Sequence, residues 1–251
     1  PDAPSEEWRL ISSDGLHLTA THFRPEWPRG NWAVIVHGYG CTQENSYYLA
    51  SHYLAQGYDV LTPDLRSSGK SEGRFVTMGL RESRDIVGWA QEIAARNPEA
   101  RIVLHGVSMG AATVMMAGAS DALPVQVAAV VEDCGYTSAY DLLAYQMETS
   151  FRLPSFPGMN LLDWRCRSRA GFSLREAAPI EAVRHARVPM LFIHGTADTL
   201  VPASMAETLY AACTSEKELL LVPEAIHSAA SQKDAARYDR TVMSFLHGKM
   251  H

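Results

Sequence analysis

Residues 101–110 read RIVLHGVSMG, and this stretch decides which fold we predict. Its Ile-Val-Leu run is typical of a buried strand, and the apolar residues up to position 119 have helical spacing. Between the two, Gly106-Val107-Ser108-Met109-Gly110 places a glycine two residues before and two residues after a serine. A serine on a sharp strand-to-helix turn has close backbone neighbours, so only glycine fits beside it. The stretch therefore predicts a serine hydroxyl that projects above the end of a strand.

Strand and helix patterns alternate on both sides of this turn. Apolar runs rich in β-branched residues recur at residues 32–36, 58–62, 101–105, 127–131, 188–193 and 218–222. Apolar residues at spacings of three and four lie between them, at residues 46–56, 78–96, 109–119, 203–213 and 235–247. Such a series predicts an α/β fold, namely a mostly parallel, doubly wound sheet of about eight strands within a single domain, residues 1–251. We expect residues 16–23 to form an antiparallel strand at its start.

One interval is too long for a simple crossover between parallel strands. About 55 residues separate positions 131 and 188, where a crossover needs perhaps a dozen or two. Residues 136–180 are rich in aromatic and methionine side chains, and Pro154 and Pro157 break any single helix there. We predict a small helical cap at 136–180, the alternative being a long crossover that covers the sheet. Tyr136, Tyr140 and Trp164 of this cap are the predicted substrate-binding residues.

Composition and charge exclude several classes of protein. Hydrophobic residues make up 47% of the 251 residues and charged residues 20%, which are ordinary globular values. The net charge of −6 removes the electrostatic attraction on which nucleic-acid binding depends. We expect no nucleic-acid partner, and no apolar stretch approaches the roughly 20 residues of a membrane span. A cytoplasmic location is favoured, with export or an N-terminal anchor possible if the chain is trimmed. The sequence leaves the oligomeric state open.

The serine needs a base, and the base needs an acid to orient it. Asp198 follows the predicted strand at 188–193, and His227 follows the strand at 218–222, so both lie just beyond strand ends. We predict Asp198 as the acid and His227 as the base. The alternatives are a turn or helix-capping role for Asp198 and an ordinary loop histidine at 227. Asp133, at the end of the neighbouring strand, is an alternative acid.

Other motifs lie at the same edge of the predicted sheet. In His37-Gly38-Tyr39-Gly40, glycines let the backbone approach a ligand, which predicts the amides of Tyr39 and Met109 as donors to an oxyanion. His37, His105 and His194 end three strands but lack metal-ligand spacing, and the four cysteines form no CxxC pair, so we predict no metal site. No phosphate-binding glycine motif is present, and we expect no cofactor.

Several segments together resemble the α/β-hydrolase superfamily over nearly the whole chain. They are HGYG (37–40), DLRSSGKSEG (64–73), HGVSMG (105–110), HGTADTLVP (194–202) and the late His227-Ser228. Within that superfamily, EDCGYTSAYD (132–141), FRLPSFP and REAAPIEAV resemble bacterial serine hydrolases grouped with prolyl-oligopeptidase-like (S9-type) esterases.

The resemblance implies roles for the predicted catalytic and oxyanion-binding residues. It implies Ser108 as nucleophile, Asp198 as acid, His227 as base, and Tyr39 with Met109 as oxyanion donors. The DLRSSG segment matches a motif that is usually structural, although Ser67-Ser68 stands where Gly-His is frequent.

We therefore expect a serine carboxylesterase for short to medium acyl or aryl esters, with a small-molecule ester as its partner. Alternatives are a thioesterase, an acyltransferase or a small-peptide amidase with the same triad, or a noncatalytic ligand-binding protein on a hydrolase scaffold. The 251 residues show no second large domain, which disfavours an oligopeptidase. Four arginines of the cap, Arg165, Arg167, Arg169 and Arg175, could steer a carboxylate-bearing substrate or form a solvated face.

Overall fold

Apolar strands assemble into one twisted sheet in the computed structural model, which describes residues 1–250. Within these residues the sheet has eight strands in the order β1-β2-β4-β3-β5-β6-β7-β8. The strands are β1 (Ser5–Ile11), β2 (His17–Phe23), β3 (Asn31–Val36), β4 (Asp59–Pro63), β5 (Arg101–Val107), β6 (Val127–Asp133), β7 (Met190–Gly195) and β8 (Lys217–Val222). β1 and β2 are antiparallel to their neighbours, and β4, β3 and β5–β8 are mutually parallel. The predicted mostly parallel sheet is confirmed.

Residues 1–250 contain nine α-helices, seven of them between strands and two after β8. They are α1 (Tyr47–Ala55), α2 (Glu82–Arg96), α3 (Met109–Ala117), α4 (Ala139–Thr149), α5 (Ser155–Ala170), α6 (Pro179–Val183), α7 (Ala203–Ala212), α8 (Ala230–Lys233) and α9 (Ala235–Leu246). Helices pack on both faces of the sheet, because successive residues of each central strand point to opposite sides. In β5, Leu104 packs in one core with Trp89 of α2, and Val103 packs in the other with Phe245 of α9. Each fully buried side chain of this size contributes about 2 kcal/mol.

The first strand is the element that the sequence did not indicate. β1 reads SEEWRLI, and Trp8 is its only buried residue. Its pairing with β2 runs over all seven residues, and the Arg96 guanidinium lies 3.9 Å from the centre of the Trp8 ring. An edge strand with polar residues on its open face lacks the apolar run of a central strand. The predicted strand at 16–23 is β2, the middle strand of this antiparallel end.

The long interval between β6 and β7 holds α4, α5 and α6. The first two of these helices pack against each other, and the chain between them turns at Ser150–Pro154. Phe156, just after the start of α5, has non-helical angles (φ −95°, ψ 135°), so this helix is kinked where Pro157 follows. The inserted helices thus carry residues of 136–180 over the carboxyl end of the sheet, where they line the cavity described below.

Of the helices in residues 1–250, none combines the length and the apolar character needed to cross a bilayer.

Candidate active site

Ser108 lies on the turn between β5 and α3 with φ 58° and ψ −117°, a conformation that few residues other than glycine adopt. The two flanking glycines make this turn possible. A Cβ on Gly106 would lie 2.1 Å from the carbonyl oxygen of Gly110, and a Cβ on Gly110 would lie 2.1 Å from that of Val36. The Ser108 amide donates to the Asp133 carbonyl at 2.8 Å, which ties the turn to β6. The backbone thus holds the serine side chain out from the sheet.

Ser108, His227 and Asp198 are joined by two short hydrogen bonds. His227 Nε2 lies 2.8 Å from Ser108 Oγ, and His227 Nδ1 lies 2.6 Å from Asp198 Oδ2. With Nδ1–H donating to the carboxylate, Nε2 is free to accept the serine proton. The three residues come from loops after β5, β7 and β8, as the sequence predicted. Their arrangement can activate a serine oxygen for attack on a carbonyl group.

Asp198 is held as a carboxylate by donors on both of its oxygens. Its Oδ1 accepts the backbone amides of Leu200 and Val201, each at 2.9 Å. Burial alone would raise the pKa of Asp198, but hydrogen bonds from His194, His227 and the Val201 amide lower it well below its ordinary value. His194 Nε2 lies 2.9 Å from the Val201 carbonyl and 3.4 Å from Asp198 Oδ2. The sequence analysis missed this contact, which the spacing of four residues in H-G-T-A-D could have suggested.

The backbone beside Ser108 offers two amides with no acceptor. Among residues 1–250, neither the Tyr39 nor the Met109 amide donates a hydrogen bond. Met109 is the first residue of α3, where the amides point out of the helix. A Cβ on Gly38 would lie 3.3 Å from Ser108 Cβ, so the 38–39 backbone approaches the serine closely. This placement is compatible with the predicted oxyanion donors, whose role stays a prediction.

His37 ties the loop of Tyr39 to the rest of the sheet. Its Nδ1–H donates to the Gly38 carbonyl at 2.9 Å, and its Nε2 accepts the Leu65 amide at 3.0 Å. Burial lowers the pKa of His37, which keeps the neutral imidazole that this donor-acceptor pattern requires. Both ring nitrogens are therefore engaged in positioning the loop.

The DLRSSG segment forms a hydrogen-bonded loop after β4. Arg66 donates to both oxygens of Asp85 at 2.7 Å and also to Asp14, and Asp64 accepts the amides of Gln43 and Lys70. A Cβ on Gly69 would lie 2.2 Å from Asp64 Cγ, so glycine is required there. The contacts are those of a structural motif.

Asp133, the alternative acid, has a different partner. Tyr238 donates its hydroxyl proton to Asp133 Oδ2 at 2.9 Å, and that hydroxyl lies 3.0 Å from His105 Nε2. Tyr53 completes the chain at 2.9 Å from His105 Nδ1. Burial lowers the pKa of His105 to about 3 and raises that of Asp133 to about 6. Asp133 thus terminates a buried chain of hydrogen bonds and makes none with His227.

Glu132, next to Asp133, makes folding stability depend on pH. Its Oε2 accepts the Gly135 amide at 2.9 Å, its Oε1 has no partner within residues 1–250, and burial raises its pKa from 4.5 to about 8. The protonated carboxyl stabilises the fold fully below pH 4.5, and this contribution is lost as pH rises through about 8. Glu132→Gln keeps an acceptor for Gly135 without the charge, so its Tm relative to wild type should rise by at least about 3 °C between about pH 5 and about pH 9.

Thermal unfolding followed by circular dichroism measures this difference directly. Asp133 titrates in both proteins, and its charge also raises the pKa of Glu132, so the difference in Tm reports Glu132 together with this coupling. Parallel Tm curves over the whole pH range would show that Glu132 ionises as freely in the folded chain as in the unfolded one.

A cavity of about 780 Å³ opens in front of Ser108. Its walls are mostly apolar side chains from α4, α5, β4–α2 and the loop after β7, with Tyr39, Ser108 and Met109 at one end. The lining residues from the inserted helices are Leu142, Leu143, Gln146, Arg165, Cys166, Arg169 and Ala170. A site of this size and character suits a small apolar ligand with a few polar contacts.

Of the three predicted substrate-binding residues, Tyr136 lines this cavity, and its hydroxyl donates to the Met78 carbonyl at 3.1 Å. Tyr140 and Trp164 are not among the residues that line the cavity, and their role stays a prediction. Tyr140 packs under the Arg175 guanidinium, 3.5 Å from its ring centre, and donates to Asn160. Trp164 is 58% exposed on the outer side of α5. Aromatic content alone could not show which side of an inserted helix faces the cavity.

One group of potential metal ligands occurs within residues 1–250. The donor atoms of Cys134, Asp198 and His227 all lie within 4.8 Å of one another. Burial raises the pKa of the Cys134 thiol well above its ordinary value, so the thiolate that metals prefer is disfavoured. The other two side chains hydrogen-bond with each other and, through His227, with Ser108. The hydrogen-bonded line to Ser108 therefore occupies the same donor atoms.

Comparison with solved structures places this architecture among known folds. The esterase Pf2001 of Pyrococcus furiosus superposes with a TM-score of 0.78 at 22% identity, covering 99% of this chain and 94% of that one. The acylaminoacyl peptidase of Pyrococcus horikoshii superposes with a TM-score of 0.73 at 19% identity, covering 99% of this chain and 42% of that one. The chain has the α/β-hydrolase fold, as predicted.

Comparison of sequences gives the family. The sequence model of the prolyl oligopeptidase family matches residues 43–251. The uncharacterized protein YqkD of Bacillus subtilis is 30% identical over 241 residues, which are 94% of this chain and 77% of that protein. The chain belongs to the prolyl oligopeptidase family and is a hydrolase, which confirms the resemblance seen in its motifs.

Proposed function

We propose that the protein is a serine carboxylesterase that hydrolyses short to medium acyl or aryl esters through an acyl-enzyme on Ser108. The observation that carries the proposal is the hydrogen-bonded line from Asp198 through His227 to Ser108 Oγ, with distances of 2.6 and 2.8 Å, at the edge of a largely apolar cavity. A nucleophile, a base and an orienting carboxylate in this order are what acyl transfer requires.

In the first half of the reaction, Ser108 Oγ bonds to the ester carbon while His227 Nε2 takes its proton. The carbonyl electron pair moves to the oxygen, and the amides of Tyr39 and Met109 donate to the resulting oxyanion. His227 then gives its proton to the alcohol oxygen as that carbon–oxygen bond breaks. The alcohol leaves, and the acyl group stays on the serine.

In the second half, water replaces the alcohol. His227 takes a proton from water as its oxygen attacks the acyl carbon, and it returns the proton to Ser108 Oγ when the acid leaves. Asp198 keeps the imidazole in the required tautomer and stabilises the imidazolium without taking the proton itself. Its lowered pKa favours this role, because the carboxylate remains ionised beside the charged ring.

Esters are favoured over other acyl compounds by the cavity and by the structural likeness. The cavity offers apolar walls for an acyl or aryl group. Pf2001 of Pyrococcus furiosus, whose structure superposes over almost the full length of both chains, is named an esterase. An amide substrate is the second candidate. The family is named for an oligopeptidase, and the similar structure from Pyrococcus horikoshii is named an acylaminoacyl peptidase.

The test combines covalent labelling with turnover. A fluorophosphonate should add one adduct to the intact mass of wild type and none to Ser108→Ala, because only an activated serine reacts. Ser51→Ala, which removes an exposed hydroxyl of α1, should label as wild type does. Across p-nitrophenyl acetate, butyrate, octanoate and laurate, the proposal of a short to medium acyl group expects kcat/KM to peak at butyrate or octanoate and to fall at laurate.

The same assay with the matched p-nitroanilides and thioesters separates the candidates. Faster turnover of anilides than of esters would replace the esterase proposal with an amidase. A folded wild type that neither labels nor turns over any of these compounds would contradict a serine hydrolase altogether.

A further inference from the structure

The cavity in front of Ser108 contains a concentration of positive charge that the esterase mechanism does not use. Arg74, Arg165 and Arg169 line it, and no Asp or Glu is among its lining residues. This is unexpected in a chain with 28 acidic residues against 22 Lys and Arg. The charged side chains that line the cavity therefore have the opposite sign to the net charge of the protein.

These three guanidinium groups have no anionic partner within residues 1–250. None of them forms an ion pair or donates a hydrogen bond, although Arg74 lies 5.3 Å from the centre of the Phe75 ring. The other two arginines of residues 165–175 have partners outside the cavity. Arg167 pairs with Asp163 at 3.2 Å and bonds Ser173, and Arg175 covers the Tyr140 ring. Arg74, Arg165 and Arg169, which line the cavity, therefore remain available to a ligand there.

The three arginines come from two separate segments of the chain. Arg165 and Arg169 are four residues apart on α5, so they lie on the same side of the helix and repel each other. Arg74 comes from the separate segment between β4 and α2. All three arginines are exposed, so water solvates their charges in the free protein, and an anionic group of a ligand in the cavity can pair with them there. A planar guanidinium pairs with two oxygens of a carboxylate or phosphate.

We propose that Arg74, Arg165 and Arg169 form an anion subsite of the cavity, and that the preferred substrate is an ester whose acyl part carries an anionic oxyacid group at its far end. This inference rests on the proposed function, because it names the substrate class of the same site. The apolar walls hold the hydrocarbon part, Ser108 attacks the ester, and the arginines bind the terminal carboxylate or phosphate. The arginines are specificity-determining residues and take no part in the bond changes.

The test compares esters that differ only in their terminal charge. The mono-p-nitrophenyl ester of suberate and p-nitrophenyl octanoate share the leaving group and the acyl length, but only the first carries a carboxylate. The corresponding ω-phosphate ester distinguishes phosphate from carboxylate as the preferred anion. The readout is the ratio of kcat/KM for the anionic ester to that for the octanoate, which removes general effects on catalysis.

In Arg165→Gln/Arg169→Gln this ratio should fall by about tenfold, since each lost charge-assisted hydrogen bond weakens binding of the anion only. The control Arg237→Gln/Arg240→Gln removes two exposed charges from α9, outside the cavity, and should keep the wild-type ratio. The wild-type ratio should also fall between about 50 and about 500 mM NaCl, because salt screens partly exposed charges.

Equal ratios in wild type and Arg165→Gln/Arg169→Gln, with both esters turned over, would overturn the subsite and leave the esterase intact. Absence of turnover with every ester would instead count against the proposed function. The subsite is then decided by calorimetric titration of wild type and the double variant with the methyl-ketone analogues of the two esters, which need no catalysis. Binding of the anionic ketone that does not weaken in the double variant would refute the inference.

Discussion

Ser108→Ala should lower kcat for p-nitrophenyl butyrate by about four to six orders of magnitude while the protein stays folded. The serine oxygen forms the bond to the acyl group in the proposed reaction, and no neighbouring hydroxyl can replace it at 2.8 Å from His227 Nε2. The remaining activity should come from the oxyanion donors and from binding, which retain some catalysis without a nucleophile. Initial rates at saturating ester, with stopped-flow measurement for wild type, give the ratio.

Stability should change little in this variant. Alanine at position 108 retains the backbone conformation with φ 58° that Gly106 and Gly110 allow, and the side chain loses one hydrogen bond. We expect a Tm within about 3 °C of wild type, since one such bond contributes about 1 kcal/mol. Ser51→Ala serves as the control for removal of a hydroxyl. If Ser108→Ala kept more than about a hundredth of the wild-type kcat, a different group would be the nucleophile.

Local sequence was sufficient to predict the Ser108 turn and the strands around it. The predicted strand at 127–131 is β6 (Val127–Asp133), and that at 218–222 begins one residue late relative to β8 (Lys217–Val222). Buried parallel strands are apolar on both faces, so their sequences stand out. Asp198 and His227 could be assigned because each follows such a strand within a few residues. β1 could not, because Trp8 alone of its side chains is buried.

Other features depend on contacts between distant parts of the chain. Tyr238 lies 133 residues from His105, and no spacing in the sequence indicates that their side chains meet at 3.0 Å. The orientation of Tyr140 and Trp164 likewise depends on how α5 packs against α4, because a helix with apolar residues on several sides has no single preferred face. Sequence reasoning therefore predicted where the proposed catalytic groups lie better than it predicted which aromatic side chains line the cavity.

Two matched substitutions, Asp198→Asn and Asp133→Asn, test which of the two carboxylates is the acid. Asp198→Asn places an amide group beside His227 Nδ1, where a carboxylate now accepts a hydrogen bond at 2.6 Å. If the amide oxygen keeps the Leu200 and Val201 amides, its NH₂ group faces Nδ1 and favours the tautomer with the proton on Nε2. That tautomer cannot accept the proton of Ser108, so kcat should fall by about 10⁴-fold.

Asp133→Asn makes the same chemical change one strand away and should lower kcat by less than about tenfold. Its amide oxygen can still accept the Tyr238 hydroxyl, and its NH₂ group replaces an oxygen that has no partner within residues 1–250. Both variants remove one negative charge near His227, so a purely electrostatic effect would lower kcat in each. Because only Asp198 touches the ring, the ratio of the two losses measures orientation of the imidazole. A larger loss in Asp133→Asn than in Asp198→Asn would transfer the role of the acid to Asp133.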